Sequence, residues 1–423
     1  MSAVNARRVL HFLKQEVARQ TIPHGMVHWR YFLPGQPRLV RTHRHFWRTG
    51  MSRIPGPLAW GLEFWLWLRW VSWGAWRATW HCVSRNGAIV ASREGHSRTW
   101  QARRVLELSL AYCISPQDIY RFRLYRDPSR VWEYVYIHET GAFHRWRGRS
   151  RDERPASLTL LQNKQRLSER LQDLGLPVAR TLTVVPRGAA MDLRPWLVRH
   201  HRLFCKPCHG ARGEGAFRVE KIAGENRLRI RTFAGEVIAE SDVAEFMRRQ
   251  TARDDYLIQP HLTNTAELAC LTDSDEAITI RLITEQGAAG IKHYCGFIEI
   301  PTEARTDAGN KQQLYVCLPI DLEAGILLPL DEDRIWHSVI EITRSVQARA
   351  QGVAIPGWTE LKNCALKAHG IFPDVHAIAW DFVITPDGPM LLEGNSGWGV
   401  RFLQVLYGGL LGRLGEGRSP PGY

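Results

Sequence analysis

The sequence predicts an α+β protein, and three observations carry that reading. The first third is helical in pattern and strongly basic. From Val178 onward, short apolar and β-branched runs alternate with turns and helices. Near the C-terminus two apolar runs flank Pro386-Asp387-Gly388, a turn sequence in which proline sets φ and glycine permits φ > 0. Antiparallel strands mixed with helices after a helical N-terminal third give α+β.

The first element is the least ordinary. Pro57 to Trp80 reads PLAWGLEFWLWLRWVSWGAWRATW, with tryptophans at 60, 65, 67, 70, 73, 76 and 80. Its length is close to the ~20 residues a membrane span needs. Glu63, Arg69 and Arg77 interrupt it, and tryptophan prefers the membrane interface to the bilayer centre. With the basic run Arg38 to Arg53 just before it, a helix lying in the plane of an anionic leaflet suits the composition better than a span. A helix buried against the rest of its domain is the competing reading.

Ala102 to Cys113 has apolar residues at 105, 106, 108, 110 and 111, the spacing of a short amphipathic helix. Ser115-Pro116 interrupts it, and Gln117 to Tyr125 resumes a helical pattern. The polar run Arg147 to Pro155 marks a boundary. Leu158 to Leu174 reads as one helix ended by Gly175, and Val178 to Val185 as a strand. Arg202 to Lys206 leads into a glycine loop. Gly215 to Val219, Leu228 to Thr232 and Glu236 to Ile238 read as antiparallel strands, Ser241 to Gln250 as a helix, and Tyr256 to Gln259 as a short strand. Further strands are expected at 277–284, 289–298, 313–319, 376–385 and 389–393, with a long helix near Arg334 to Gln351.

Charge divides the chain. Residues 1–150 hold 24 Arg and Lys against 8 Asp and Glu, whereas the whole chain holds 56 against 42, so the first third carries the entire excess. Such a segment could meet nucleic acid, an anionic membrane surface or a polyanionic substrate, or could simply be solvated. Of eight cysteines only Cys205 and Cys208 form a CxxC, and no second pair lies at zinc-site spacing. Free thiols fit a reducing cytoplasm. Met1 to Arg19 has no apolar core of the signal-peptide kind.

The strongest chemical signal is WDFVITPDGPMLLEGN, Trp380 to Asn395. A hairpin centred on Asp387 without a bulge puts Asp381 directly opposite Glu393, with side chains on one face and Cβ atoms roughly 5 Å apart. Asn395 shares that face, two residues on. Two carboxylates and an amide converging on one point repel unless a cation lies between them, and hard oxygen ligands in small number suit Mg²⁺. The competing reading is a surface hairpin with incidental acids.

The second signal is LFCKPCHGARGEGAF, Leu203 to Phe217. Lys206 at a strand end precedes Gly210, Gly213 and Gly215. Such glycines let backbone N–H groups close over phosphate oxygens, and the lysine adds a fixed charge. Neither a Walker A nor a Rossmann fingerprint is present. The glycine loop gains specificity from the hairpin that follows it.

Lys-Pro with a glycine loop, the strand YLIQPHL (Tyr256 to Leu262) and a final D…E-x-N resemble the ATP-grasp superfamily, and more closely its sugar-transfer-associated family. Tyr120-Arg121-Phe122-Arg123-Leu124-Tyr125, Asn163-Lys164, Thr279-Ile280-Arg281, Pro319-Ile320-Asp321-Leu322 and Thr385-Pro386-Asp387-Gly388-Pro389 support the closer match. The resemblance implies an ATP-grasp fold, two α+β subdomains sandwiching ATP, after a mainly helical Trp-rich region. The expected divisions are 1–150 for that region, 151–265 for a linker helix and first subdomain, and 266–423 for the second.

By the same resemblance Lys164 and Lys206 bind ATP phosphates and Ile258 and Gln259 form the adenine hinge. Asp381, Glu393 and Asn395 hold Mg²⁺, Arg281 stabilises charge on the transferred phosphoryl group, and Asn310 lies in a substrate-side loop. The sequence departs from the family on the acceptor side. Leu314 and Tyr315 stand where a Gly-Gly pair is usual, and Ser396-Gly397-Trp398-Gly399 replaces Ser-Arg-Pro-Gly.

The expected activity is a ligase that activates a carboxylate as an acyl phosphate for attack by an amine, thiol or hydroxyl. Its acceptor is glycan-related or peptide-like, and the enzyme is cytoplasmic, at or near the inner face of a membrane. A kinase acting on a hydroxyl is one alternative. A non-catalytic protein that docks on membrane or nucleic acid is another, and nucleic acid is the less favoured partner.

Overall fold

The structure, a computed structural model, describes residues 23, 25–51, 56–148, 156–210, 213–222, 227–233, 235–287, 289–305, 311–335 and 340–414. The segment from 1 to 19 tested for a signal peptide, most of the polar boundary run, and Asn310 lie outside these. The chain divides into two compact units. One gathers Met1–Arg147, Leu330–Glu341 and Gly399–Pro421, and the other Gly148–Pro329 and Ile342–Trp398.

The first unit is helical. Its principal helices are α1 (Arg38–Met51), α2 (Gly56–Arg69), α3 (Ala75–Glu94), α4 (Arg98–Tyr112) and α5 (Pro116–Arg121). A π-turn, Trp70–Gly74, joins α2 to α3 without a break in the helix. Ser97 caps α4 by accepting from Trp100 N, and Ser115 caps α5 by accepting from Gln117 N, each satisfying an orphan donor. The helical run expected from Gln117 to Tyr125 stops at Arg121. Arg123 takes φ +50, and the turn sends three side chains to one acceptor. Arg123 and Arg126 bridge to Glu94 at 3.1 and 2.8 Å, and the Tyr125 hydroxyl donates to it at 3.0 Å.

This unit's core is aromatic with satisfied polar groups inside it. Buried His43 meets Glu139 at 2.7 Å and the Trp132 carbonyl at 3.0 Å. The helix Val400–Tyr407 contributes Gln404, whose amide accepts from Val135 N at 2.7 Å and donates to Val135 O at 2.8 Å. Among the described residues no helix is long and apolar enough to cross a membrane, which removes the spanning reading of the Trp-rich segment.

The second unit contains two antiparallel sheets. The first has strand order β1-β6-β2-β3-β4-β5, from β1 (Thr183–Val185), β2 (Arg202–Pro207), β3 (Phe217–Lys221), β4 (Leu228–Thr232), β5 (Val237–Ile238) and β6 (Tyr256–Pro260). One face buries Leu203, Cys205, Phe217, Val219, Ile230, Tyr256 and Ile258 as a core. Alternation therefore sends Lys206, Arg218 and Gln259 to the other face. The second sheet has order β11-β10-β7-β8-β9, from β7 (Thr279–Gly287), β8 (Gly290–Arg305), β9 (Lys311–Pro319), β10 (Ala377–Thr385) and β11 (Gly388–Asn395). Every residue of β10 is buried.

Two expectations change here. The single helix expected from Leu158 to Leu174 is two, Ala156–Gln162 and Lys164–Asp173, separated by Asn163 in an extended conformation. Asn163 caps the second helix by accepting from Arg166 N at 3.0 Å, which competes with helix continuity at that residue. The long helix expected near Arg334 to Gln351 is described from Ile340 to Ala350. A helix that the pattern did not single out, Trp358–Gly370, packs on the second sheet.

Candidate functional site

The hairpin of β10 and β11 carries the first part of the site. Thr385 pairs with Gly388 around Pro386-Asp387, and Gly388 takes φ +107. The turn is therefore one residue tighter than a hairpin centred on Asp387. A bulge compensates: Phe382 pairs with Leu391 but Asp381 pairs with Glu393, leaving Leu392 as the extra residue. Pro177 and Ala179 hold β11 beside the bulge through backbone bonds with Leu391.

Asp381 is only 7% exposed. The Arg281 guanidinium on β7 grips it with a fork, Nε to Oδ1 at 2.6 Å and Nη2 to Oδ2 at 2.8 Å. Glu299 on β8 lies 3.6 Å from the same guanidinium and accepts from the Thr279 hydroxyl at 3.2 Å. On β11 the Asn395 amide donates to Glu393 Oε1 at 2.9 Å. Burial pushes the Asp381 carboxyl up to about 7, aided by Glu393 and Glu299, although Arg281 pulls against it. Burial also pushes Glu393 up, but Lys206, Asn395, Lys164 and Arg281 together bring it below its ordinary value.

The second part is the loop after β2. Lys206 is 9% exposed, and its ammonium has no hydrogen-bond acceptor among the described residues. Burial lowers its basicity, while Glu393 and Asp381 raise it and Lys164 lowers it further. The break at Asn163 puts Lys164 in the first turn of its helix, where Nζ donates to Gly210 O at 2.7 Å and the backbone N donates to Cys208 O at 3.1 Å.

Both ends of the loop are clamped. His209 meets Asp254 through its ring and its backbone N–H at 3.0 and 2.8 Å, and the Tyr256 hydroxyl donates to Gly215 O at 3.0 Å. Gly213 and Gly215 have φ +70 and +76, and a Cβ would strike the Phe233 ring and the Tyr256 hydroxyl respectively. Gly210 also has positive φ. Cys205 and Cys208 are buried free thiols, with the Cys208 thiol pushed up to about 12 by burial.

Lys164, Lys206, Arg281, Asp381, Glu393 and Asn395 therefore come together in one unit from five chain segments. Ile258 does not join them: its side chain is in the core and its carbonyl accepts from Leu182 N at 2.8 Å. Gln259 faces the Lys206 side, with its amide donating to Ala179 O at 3.0 Å. Sequence reasoning missed Glu299. Its signal was register, because Thr279 pairs with Glu299 and places that carboxylate diagonal to Arg281.

Among the described residues no group of three or more His, Cys, Asp or Glu is placed to hold a metal ion. A cation here would take two carboxylates and an amide oxygen from the chain and the rest of its shell from water and phosphate, which is how Mg²⁺ is usually held. The all-oxygen donor set fits that ion. A carboxylate offers about four lone-pair positions, so the Arg281 fork leaves Asp381 able to accept a further partner.

Residues 149–416 match the family described as sugar-transfer associated ATP-grasp. No curated protein matches the sequence. Among solved structures the chain is similar to the ATP-grasp ligase PsnB complexed with a minimal precursor, at 14% identity over 68% of this chain and 67% of that one, with a TM-score of 0.34. It is also similar to D-cycloserine synthetase DcsG, at 16% identity over 61% and 69%, with a TM-score of 0.32. The D-alanine-D-alanine ligase from Coxiella burnetii is 13% identical over 56% and 48%, with a TM-score of 0.31, so the match spans about half of that ligase.

Proposed function

The chain belongs to the sugar-transfer associated ATP-grasp family and is an ATP-grasp enzyme, and we propose that it uses ATP and Mg²⁺ to activate a carboxylate as an acyl phosphate. An amine, thiol or hydroxyl of a glycan-related or peptide-like acceptor then displaces the phosphate. The acceptor is presented at the inner face of a membrane. The observation that carries the ATP part is Lys206, a residue only 9% exposed whose ammonium has no hydrogen-bond acceptor among the described residues, placed within electrostatic reach of the Asp381–Glu393 pair. A buried charge of this kind is costly unless something anionic meets it. A phosphate supplies that anion.

In this reading Lys206 and Lys164 hold phosphate oxygens, and the clamped backbone of the glycine loop covers them. Gln259 and the adjoining Ile258 backbone border the adenine. Asp381, Glu393 and Asn395 hold Mg²⁺, which when bound supplies positive charge at the phosphate oxygens. Arg281 orients Asp381 and stabilises charge on the phosphoryl group as it moves. Asn310 is proposed on the acceptor side.

The test is binding of a non-hydrolysable ATP analogue with Mg²⁺. Lys206→Met should weaken it roughly 10- to 100-fold, the value of a lost charged hydrogen bond, while the protein stays folded. Unchanged binding in a folded variant would overturn the assignment. Trapping with hydroxylamine then separates outcomes, because an acyl phosphate gives a hydroxamate and a kinase gives only a phosphomonoester.

A further inference from the structure

The tryptophan-rich helix of the first unit is not buried. Trp70 is fully buried and donates to Ser109 O at 3.2 Å, but Trp60, Trp73 and Trp76 are 55–56% exposed and Trp80 is 76% exposed. Phe64, Trp65, Trp67, Leu58 and Leu68 are exposed beside them. Single exposed apolar side chains are ordinary, whereas a contiguous set of this size marks an interaction surface.

The π-turn is what makes the set contiguous. At 100° per residue Trp60 and Trp76 would lie about 160° apart on an unbroken α-helix. The turn Trp70–Gly74 takes up about one extra residue and brings them to within about 60°. Its geometry is fixed by packing, because a Cβ at Gly74 would come within 2.6 Å of the Trp70 ring. The face continues onto neighbouring elements through ring contacts at 5.8 Å, from Trp60 to Trp47 and from Trp47 to Phe32.

We propose that this outer face of α2, the π-turn and α3 docks the protein on an anionic lipid bilayer. Charge selects the occupant. Between Pro23 and Arg93 the chain has ten arginines and one acid, Glu63, which accepts from the Trp47 indole at 3.0 Å. Arg41 and Arg48 on α1 and Arg77 within the aromatic run are exposed. Arginine around tryptophan and leucine is the composition of a helix lying in the headgroup region. A second copy of the chain would bring the same basic face against itself. Nucleic acid has no use for the exposed Leu58 and Leu68.

The inference rests on the ligase reading for its purpose only, since docking can be measured without any acceptor. The full chain is mixed with vesicles of phosphatidylcholine and phosphatidylglycerol, or of phosphatidylcholine alone, and sedimented. Binding should favour the anionic vesicles and persist in part at 0.5 M salt, because the apolar contribution is not screened. Brominated acyl chains should quench tryptophan fluorescence. Trp76→Ser with Trp80→Ser should lower partitioning roughly tenfold or more, and Arg41→Gln with Arg48→Gln should narrow the preference for anionic vesicles. Neither pair should change Mg²⁺-dependent ATP turnover, so failure of the ligase reading and failure of this one are read separately. Folded wild-type protein that stays in the supernatant overturns the proposal. So does binding without quenching that salt abolishes, as for a polyanion site. Self-association that the tryptophan variant abolishes, without vesicle binding, would instead assign the face to a second copy.

Discussion

Asp381 and Glu393 stand directly opposite each other across a hairpin because one residue between turn and pair, Leu392, has no partner. The two-residue turn alone would set Asp381 against Leu392. The bulge restores the carboxylate pair and, as bulges do, re-aims side chains at the end of a strand. Two acids so placed and so buried repel each other, and the proposed cation would relieve that repulsion.

The first prediction follows from that pairing. Glu393→Ala should lower Mg²⁺-dependent ATP turnover by at least roughly 10²-fold, the scale seen when one charge-stabilising group is removed from a preorganised site. Its melting temperature should fall modestly, because Glu393 is a negative partner of nearly buried Lys206 and is itself held below its ordinary pKa in the fold. Turnover retained in a folded variant would refute the metal role.

Arg281 gives the second prediction. Its fork is the main compensation for a nearly buried Asp381. Arg281→Ala should cost about 3 kcal/mol, the low end for an uncompensated buried charge. If Asp381 is a cation ligand, millimolar Mg²⁺ should restore more melting temperature to Arg281→Ala than to wild type. Equal shifts would argue against Asp381 as a ligand.

Much of this architecture was legible because local pattern and tertiary environment agreed. Leu228–Thr232 is a strand from its alternation alone, and Pro386-Asp387-Gly388 announces its turn. What was hidden depends on a single residue overriding a period. Asn163 breaks a helix whose apolar spacing runs straight through it. Leu392 shifts a register that counting from the turn assumes to be regular. The π-turn rotates the tryptophans onto one face that no fixed helical period displays. Glu299 was out of reach because its place beside Arg281 requires the pairing of β7 with β8.

The Asn163 break yields the third prediction. Asn163→Ala removes the cap on Arg166 N and should cost about 1 kcal/mol. Lys164→Ala leaves that cap intact and removes the Nζ bond to Gly210 O. It should weaken binding of the ATP analogue severalfold or more while changing stability by less than about 0.5 kcal/mol. Stability and nucleotide affinity falling together in Lys164→Ala would make that lysine a structural tether and nothing more.

The last prediction concerns acid. His261 follows β6, where its backbone N–H donates to Arg202 O at 3.1 Å and its Nδ1 is buried with no hydrogen-bond partner among the described residues. Burial lowers its pKa from 6.5 to about 4, and Arg218 and Arg202 push the same way against Asp275 and Glu220. Between those two values the unfolded chain binds more protons than the folded one, so stability is lost as pH falls from about 6.5 toward 4. From pH 7 to pH 5 the full shift corresponds to about 2 kcal/mol, and partial exposure reduces this to about 1–2 kcal/mol. His261→Gln cannot take up that proton. Denaturant unfolding at pH 7 and pH 5 should show the wild type losing about 1–2 kcal/mol more than His261→Gln over that interval. Other buried histidines, His28 and His369 among them, also have lowered pKa values from burial and add to the loss in both proteins alike. Equal acid losses in the two proteins would mean that His261 is charged in the fold, with Asp275 and Glu220 outweighing the two arginines.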